Sequence, residues 1–122
     1  MSELLDQLVF ELHRAAGRQD ASSVHHARVA IRRFDQALRV FQQYLPHGAA
    51  KKIRKSLKEV MDAAGEVRNR DITLRLIADA PGAKELEAQR KEAKHRLSQQ
   101  LHGLGRPGLS GKWRTSLKLA HL

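Results

Sequence analysis

The sequence has no cysteine, so neither its stability nor its chemistry depends on disulfides or thiolates. A reducing cytoplasm is the expected setting for such a chain. Aromatic residues make up only 4%, which argues against a single-strand nucleic-acid binder that works by stacking bases. Long apolar runs are missing as well. Met1, Ser2, Glu3, Leu4, Leu5 and Asp6 bring acidic charge early, the pattern of neither a signal peptide nor a membrane span. Alternating strand patterns are nearly absent, and no strict internal repeat is present.

What remains is apolar spacing of helical period. The 122 residues fit one domain, 1–122, large enough for a four-helix core but not for two independent cores. A first helix is expected from about Ser2 to Ala16, with Leu5, Leu8, Leu12 and Ala15 on one face. Gly17 ends it, and the segment from Asp20 to Ser23 supplies N-cap candidates for the next. The second run alternates threes and fours through Val24, Ala27, Ile31, Phe34, Leu38, Phe41 and Leu45. Pro46 and Gly48 are expected to stop it. The third run takes in Ile53, Leu57, Val60, Ala64, Val67, Leu74 and Ala78. Gly65 in its middle leaves open whether it is one helix or two. Pro81 and Gly82 close that run. A weaker fourth helix is expected from about Ala83 to Leu101, with Leu86, Ala93, Leu97 and Leu101 on its apolar face. Gly103 to Gly111 reads as a loop by composition. Beyond it, Trp113, Leu117 and Ala120 have the spacing of a short fifth helix, with Trp113 as a packing anchor. The fold class is therefore all-α, a four-helix bundle with a short C-terminal addition.

Charge narrows the function. Lys and Arg number 23 against 13 Asp and Glu, a net charge of +10, and seven histidines add more at mildly acidic pH. Self-repulsion of this size destabilises a compact chain, so it points to an anionic partner: nucleic acid, an anionic membrane or a phosphate polymer. The cations are patterned. His25, Arg28, Arg32 and Arg39 each follow an apolar position of the second helix by one residue. Arg54, Lys58, Arg68 and Arg75 do the same on the third. One residue is about 100° of turn, so each helix carries a basic stripe on the same side of its apolar stripe. Arg90 and Lys94 of the fourth helix extend it. An ordinary solvated face alternates sign and forms i,i+4 pairs, whereas the stripe on the second helix is interrupted only by Asp35 and Gln36. Guanidinium forks hold phosphate oxygens in pairs, which accounts for the preference for arginine.

The segment from Val24 to Phe34, with His25, Arg28, Val29 and the pair Arg32 and Arg33, resembles the signature of the CHAD family, the conserved histidine α-helical domain. The continuation through Arg39 to Phe41 is similar too. A second match runs from Ala64 to Ile72, with Gly65, Arg68 and Asp71 in the family's places and Asn69 where an aspartate is common. The likeness spans roughly Val24 to Leu101. It implies a non-catalytic module binding inorganic polyphosphate. His25, Arg28, Arg32, Arg33, Arg39, Arg54, Lys58, Arg68, Arg75, Arg90 and Lys94 are the expected contacts, and no cofactor is needed. Members are similar to one another in having two four-helix halves around a basic channel. This chain has the length of one half, so the expected assembly is a homodimer, closed by Trp113 and Leu117 against the partner chain.

Other readings stand beside this one. Nonspecific DNA or RNA binding would use the same phosphate contacts. A histidine phosphotransfer bundle would place a phosphoryl group on His25 near Arg28, although two long rows of cations exceed what one such site needs. The adjacent His25 and His26 face different ways on a helix and have no third ligand nearby, so no metal site is expected. No carboxylate pair, glycine-rich phosphate loop or metal cluster offers a means of cleaving a phosphoanhydride, so no enzymatic activity is expected. Asp71, on the apolar stripe of the third helix, either orients a stripe arginine or forms an internal ion pair between helices. Gly65 marks either a tight helix contact or access for a ligand.

Overall fold

The computed structural model describes residues 1–77, 80–106 and 108–119. Among these there are five α-helices and no strand. The first helix, α1 (Ser2–Gly17), buries Leu5, Leu8, Leu12 and Ala15, the stripe its spacing predicts, together with Glu11. Asp20 then caps α2 (Ala21–Val40), its carboxylate accepting the Ser23 backbone N–H at 2.7 Å.

Helix α2 stops earlier than its apolar spacing suggests. Phe41 is the C-cap and is 39% exposed, outside the buried core, and a 3₁₀ turn (Gln42–Tyr44) follows. The cause lies downstream. Pro46 disfavours helical geometry at the residue before it, and Leu45 is accordingly extended, with φ −109° and ψ 149°. The chain must leave the helix before that point, and the 3₁₀ turn lets Leu45 re-enter the core. Gly48 is not part of the stop; it lies in the first turn of α3 (His47–Ile77).

Helix α3 is a single helix of 31 residues. A mid-helix glycine costs only about 0.5–1 kcal/mol relative to alanine, too little to break a helix anchored by Ile53, Leu57, Val60, Ala64 and Val67. A Cβ built at Gly65 meets nothing within 4 Å, so the glycine is not there for a tight helix contact. Beyond Val67 the core ends. Leu74 is half-buried, while Ile72 is 45% and Leu76 79% exposed. Ala78 lies outside the described residues.

Gly82, with φ 93°, turns the chain into α4 (Ala83–Leu104), which buries Ala93, Leu97 and Leu101. The helix runs three residues past Leu101, and α5 (Leu109–Ser116) starts before Lys112, so the loop expected over Gly103 to Gly111 shrinks to its middle. At Gly105 a Cβ would lie 3.0 Å from the Leu101 carbonyl oxygen and 3.7 Å from the Ala16 Cβ. The tight approach is to the last turn of α4 itself, while α1 lies at ordinary van der Waals distance.

Helix α1 packs on α2 and α3 on α4, while α1–α4 and α2–α3 contacts close the ring. The fifth helix lies on α1. Trp113 is 6% exposed, and its ring stacks on Phe34 at 6.5 Å and 9°. Asp6 of α1 accepts from Arg114 at 2.7 Å and from Ser110 at 3.3 Å, fastening the two helices at the surface. Trp113 and Leu117, expected to be covered by a partner chain, are buried by this chain's own helices instead. Helix α5 adds Leu109 and Trp113 to the core of this same chain. Ala120 of that segment lies outside the described residues. No helix among the described residues is long and apolar enough to cross a membrane.

Candidate anion-binding groove

The connection from α2 to α3 is short, and the pairs between them run in opposite order: Asp35 meets Arg54, and Arg28 lies near Arg68. The two helices are antiparallel. On antiparallel neighbours, an equal offset in the chain's own sense becomes a mirror-image offset in space. The two basic stripes, each one residue past its apolar stripe, therefore turn toward one cleft rather than along parallel faces.

That cleft is a groove of about 720 Å³ between α2, α3 and α4. His25 and Arg28 line it from α2, Arg68 and Arg75 from α3, and Arg90 and Lys94 from α4. The floor is apolar, formed by Val24, Ala64 and Val67 among others. The α1–α2 turn closes one side, where Gln19 donates to the Lys94 carbonyl oxygen at 3.3 Å.

The expected cations are not equivalent. Arg28 is half-buried, and its Nε is buried with no hydrogen-bond partner among the described residues. Its affinity for a proton is lowered, first by burial and then by the charges of Arg32 and Arg68. Arg32, one turn along α2, is near enough for its charge to act on Arg28, but it is exposed and does not line the groove. Three guanidinium groups with no carboxylate partner among the described residues form a site whose positive potential is unmet.

At the far end of α2 the situation differs. Asp35 accepts from Arg39 at 3.2 Å and from Arg54 at 2.9 Å. This pins α2 to α3 and leaves two guanidiniums sharing one carboxylate. Lys58 is exposed one turn along α3 from Arg54 and does not line the groove. Arg33, adjacent to Arg32 and therefore about 100° around the helix, lines a separate hollow with Glu3, Gln7, Phe41 and Tyr44. The structure does not bring Arg33 to the other stripe residues.

On the α4 wall, Asp71 accepts a hydrogen bond from the Arg90 Nε, and Glu87 lies 3.4 Å from the same guanidinium. Arg90 holds its proton more tightly than an ordinary arginine, chiefly through the Asp71 bond. Asp71 therefore both pairs α3 to α4 and orients a stripe arginine. Glu87 has a local sequence signal, its i,i+3 spacing to Arg90. Arg70 is not one of the stripe residues. Its Nε is buried without a partner among the described residues, yet it lies outside the groove lining. His25 and His26 have ring centroids 5.9 Å apart. Among the described residues no cluster of three His, Cys, Asp or Glu side chains could hold a metal.

The family model described as CHAD domain matches residues 1–121, well beyond the segment from Val24 to Leu101 that the two motifs cover. No curated protein and no solved structure matches the chain.

Proposed function

We propose that this chain, which belongs to the CHAD domain family, binds inorganic polyphosphate in the groove between α2, α3 and α4 and performs no chemistry on it. The family is associated with polyphosphate binding in general, and its domains are generally binding rather than catalytic modules. The observation that carries the reading for this chain is Arg28, a half-buried arginine with an unpartnered Nε beside Arg32 and Arg68. Such a cluster is held against its own repulsion and is relieved by an anion that takes several hydrogen bonds at once. His25, Arg75 and Lys94 lengthen it into a track. A helix repeats about every 5.4 Å, so the track offers donors at regular intervals to a regular polyanion and has no need to read bases.

Titration with polyphosphates of defined length, with duplex DNA as competitor at one salt concentration, tests this. Polyphosphate should win, and affinity should fall steeply from low to moderate salt as bound phosphates release counterions. Preferential retention of DNA would move the chain to the nucleic-acid binders.

A second copy belongs to the same proposal. Ile72 and Leu76 stand exposed beside the groove on the last turns of α3, and a polyanion longer than one groove would neutralise two chains that otherwise repel. Light scattering with and without polyphosphate checks it; monomer in both conditions rejects the dimer.

A further inference from the structure

The groove contains its own competitor for phosphate. Arg28, Arg68, Arg75, Arg90 and Lys94 line it, and so do Asp20, Asp71 and Glu87. Asp20 is committed elsewhere: it caps α2 through Ser23 and pairs with Arg18 at 2.8 Å. Asp71 and Glu87 share a single arginine, Arg90. This reverses the arrangement at the other end of the stripe, where Arg39 and Arg54 share Asp35. One end leaves a guanidinium in excess; the α4 wall leaves a carboxylate in excess, facing a groove that is otherwise cationic.

We propose that Asp71 and Glu87 are specificity-determining residues of the groove: they occupy Arg90 and repel phosphate from the stretch of the α4 wall around it, directing a polyanion toward Arg28 and Arg68 on the α2–α3 side. The inference rests on the reading of the groove as a polyphosphate site. Its physical content is twofold. A ligand gains nothing from Arg90 while that guanidinium is held by carboxylates, and it meets like charge on that wall. Weakly charged anions are therefore penalised there, whereas a polymer still reaches Arg28, Arg32 and Arg68 with successive phosphates. Loss of Asp71 would break the bond that holds the Arg90 Nε, and loss of either carboxylate would remove a repulsion, so each variant should bind more tightly than the natural chain. A purely structural ion pair predicts the opposite, or no change.

The experiment compares the full chain with Glu87→Gln and Asp71→Asn, measuring polyphosphate affinity across a salt series and thermal stability in parallel. Glu87 is half-exposed, and its removal leaves the Asp71–Arg90 bond in place, so this variant should fold normally even if Asp71→Asn does not. Each folded variant should bind polyphosphate more tightly, by about tenfold for Asp71→Asn and less for Glu87→Gln. The salt dependence of log affinity should steepen by about one additional phosphate contact for Asp71→Asn. A folded variant binding no tighter than the natural chain would overturn the proposal and leave the polyphosphate reading intact. If the natural chain itself fails to bind polyphosphate, the underlying reading falls, and this one with it.

Discussion

Arg28 of α2 and Arg68 of α3 face each other across one groove, near enough that the charge of Arg68 disfavours the protonated form of Arg28. They are 40 positions apart in the chain, and neither is bonded to a carboxylate among the described residues. Antiparallel packing brings them together, and a bound anion is the natural relief of their repulsion.

Removing charge from that cluster should therefore matter more than removing charge elsewhere. Arg28→Ala with Arg32→Ala takes one charge from the groove lining and a second that acts on it; Lys55→Ala with Lys84→Ala takes two from exposed positions that do neither. The arginine double variant should lose on the order of a few kcal/mol of polyphosphate binding, the scale of two charge-assisted contacts. The lysine double variant should lose far less, and helicity by circular dichroism should persist in both. Equal losses would mean that overall basicity, not the groove, holds the ligand.

The cap of α2 should make stability depend on pH in the acidic range. Asp20 is held below its ordinary value of 3.8, first by the Ser23 backbone N–H, then by the Ser23 side chain and by Arg18. A depressed carboxylate contributes stability that is fully present above its unfolded value and is lost as pH falls through the folded one. Asn also caps helices but does not titrate. The melting-temperature difference between the natural chain and Asp20→Asn should therefore be constant from about pH 6 to about pH 5 and shift against the natural chain below about pH 4. A difference that stays flat throughout would remove Asp20 from the acid response.

Gly65→Ala should stabilise the chain. The added methyl meets nothing within 4 Å and restrains the unfolded backbone, worth about 0.4–1 kcal/mol. Urea denaturation measures this directly. A loss of stability would show that α3 needs its glycine for a bend or a contact.

Trp113→Ala should destabilise by about 3–5 kcal/mol, the scale for removing a buried aromatic, because its ring stacks on Phe34 within the chain's own core. The loss should not vary with protein concentration. A concentration-dependent loss would return Trp113 to an interface between copies.

Much of the fold was legible in local spacing. Leu5, Leu8, Leu12 and Ala15, or Ile53, Leu57 and Val60, recur with helical period because each helix must bury one face. Asp20 announced its cap by residue type and position. The end of α2 was less legible. Its apolar spacing continues past Val40, and Pro46 acts backward on Leu45 to end the helix early.

The residues of the basic stripes, and their one-residue offset from the apolar positions, are properties of the chain alone. Their convergence is not, since an offset has no direction in space until a neighbouring helix is placed. The antiparallel course of α2 and α3 set Arg28 toward Arg68, while the turn of one helix carried Arg33 to another face. Pairing was likewise a tertiary matter. Arg39 meets Asp35 within α2 at a local i,i+4 spacing, but Arg54 meets Asp35, and Arg90 meets Asp71, across helices whose separation in the chain does not reveal which arginines remain without a carboxylate partner. Charge type is written in the residue, but whether that charge is neutralised depends on what packing brings within a few ångströms of it.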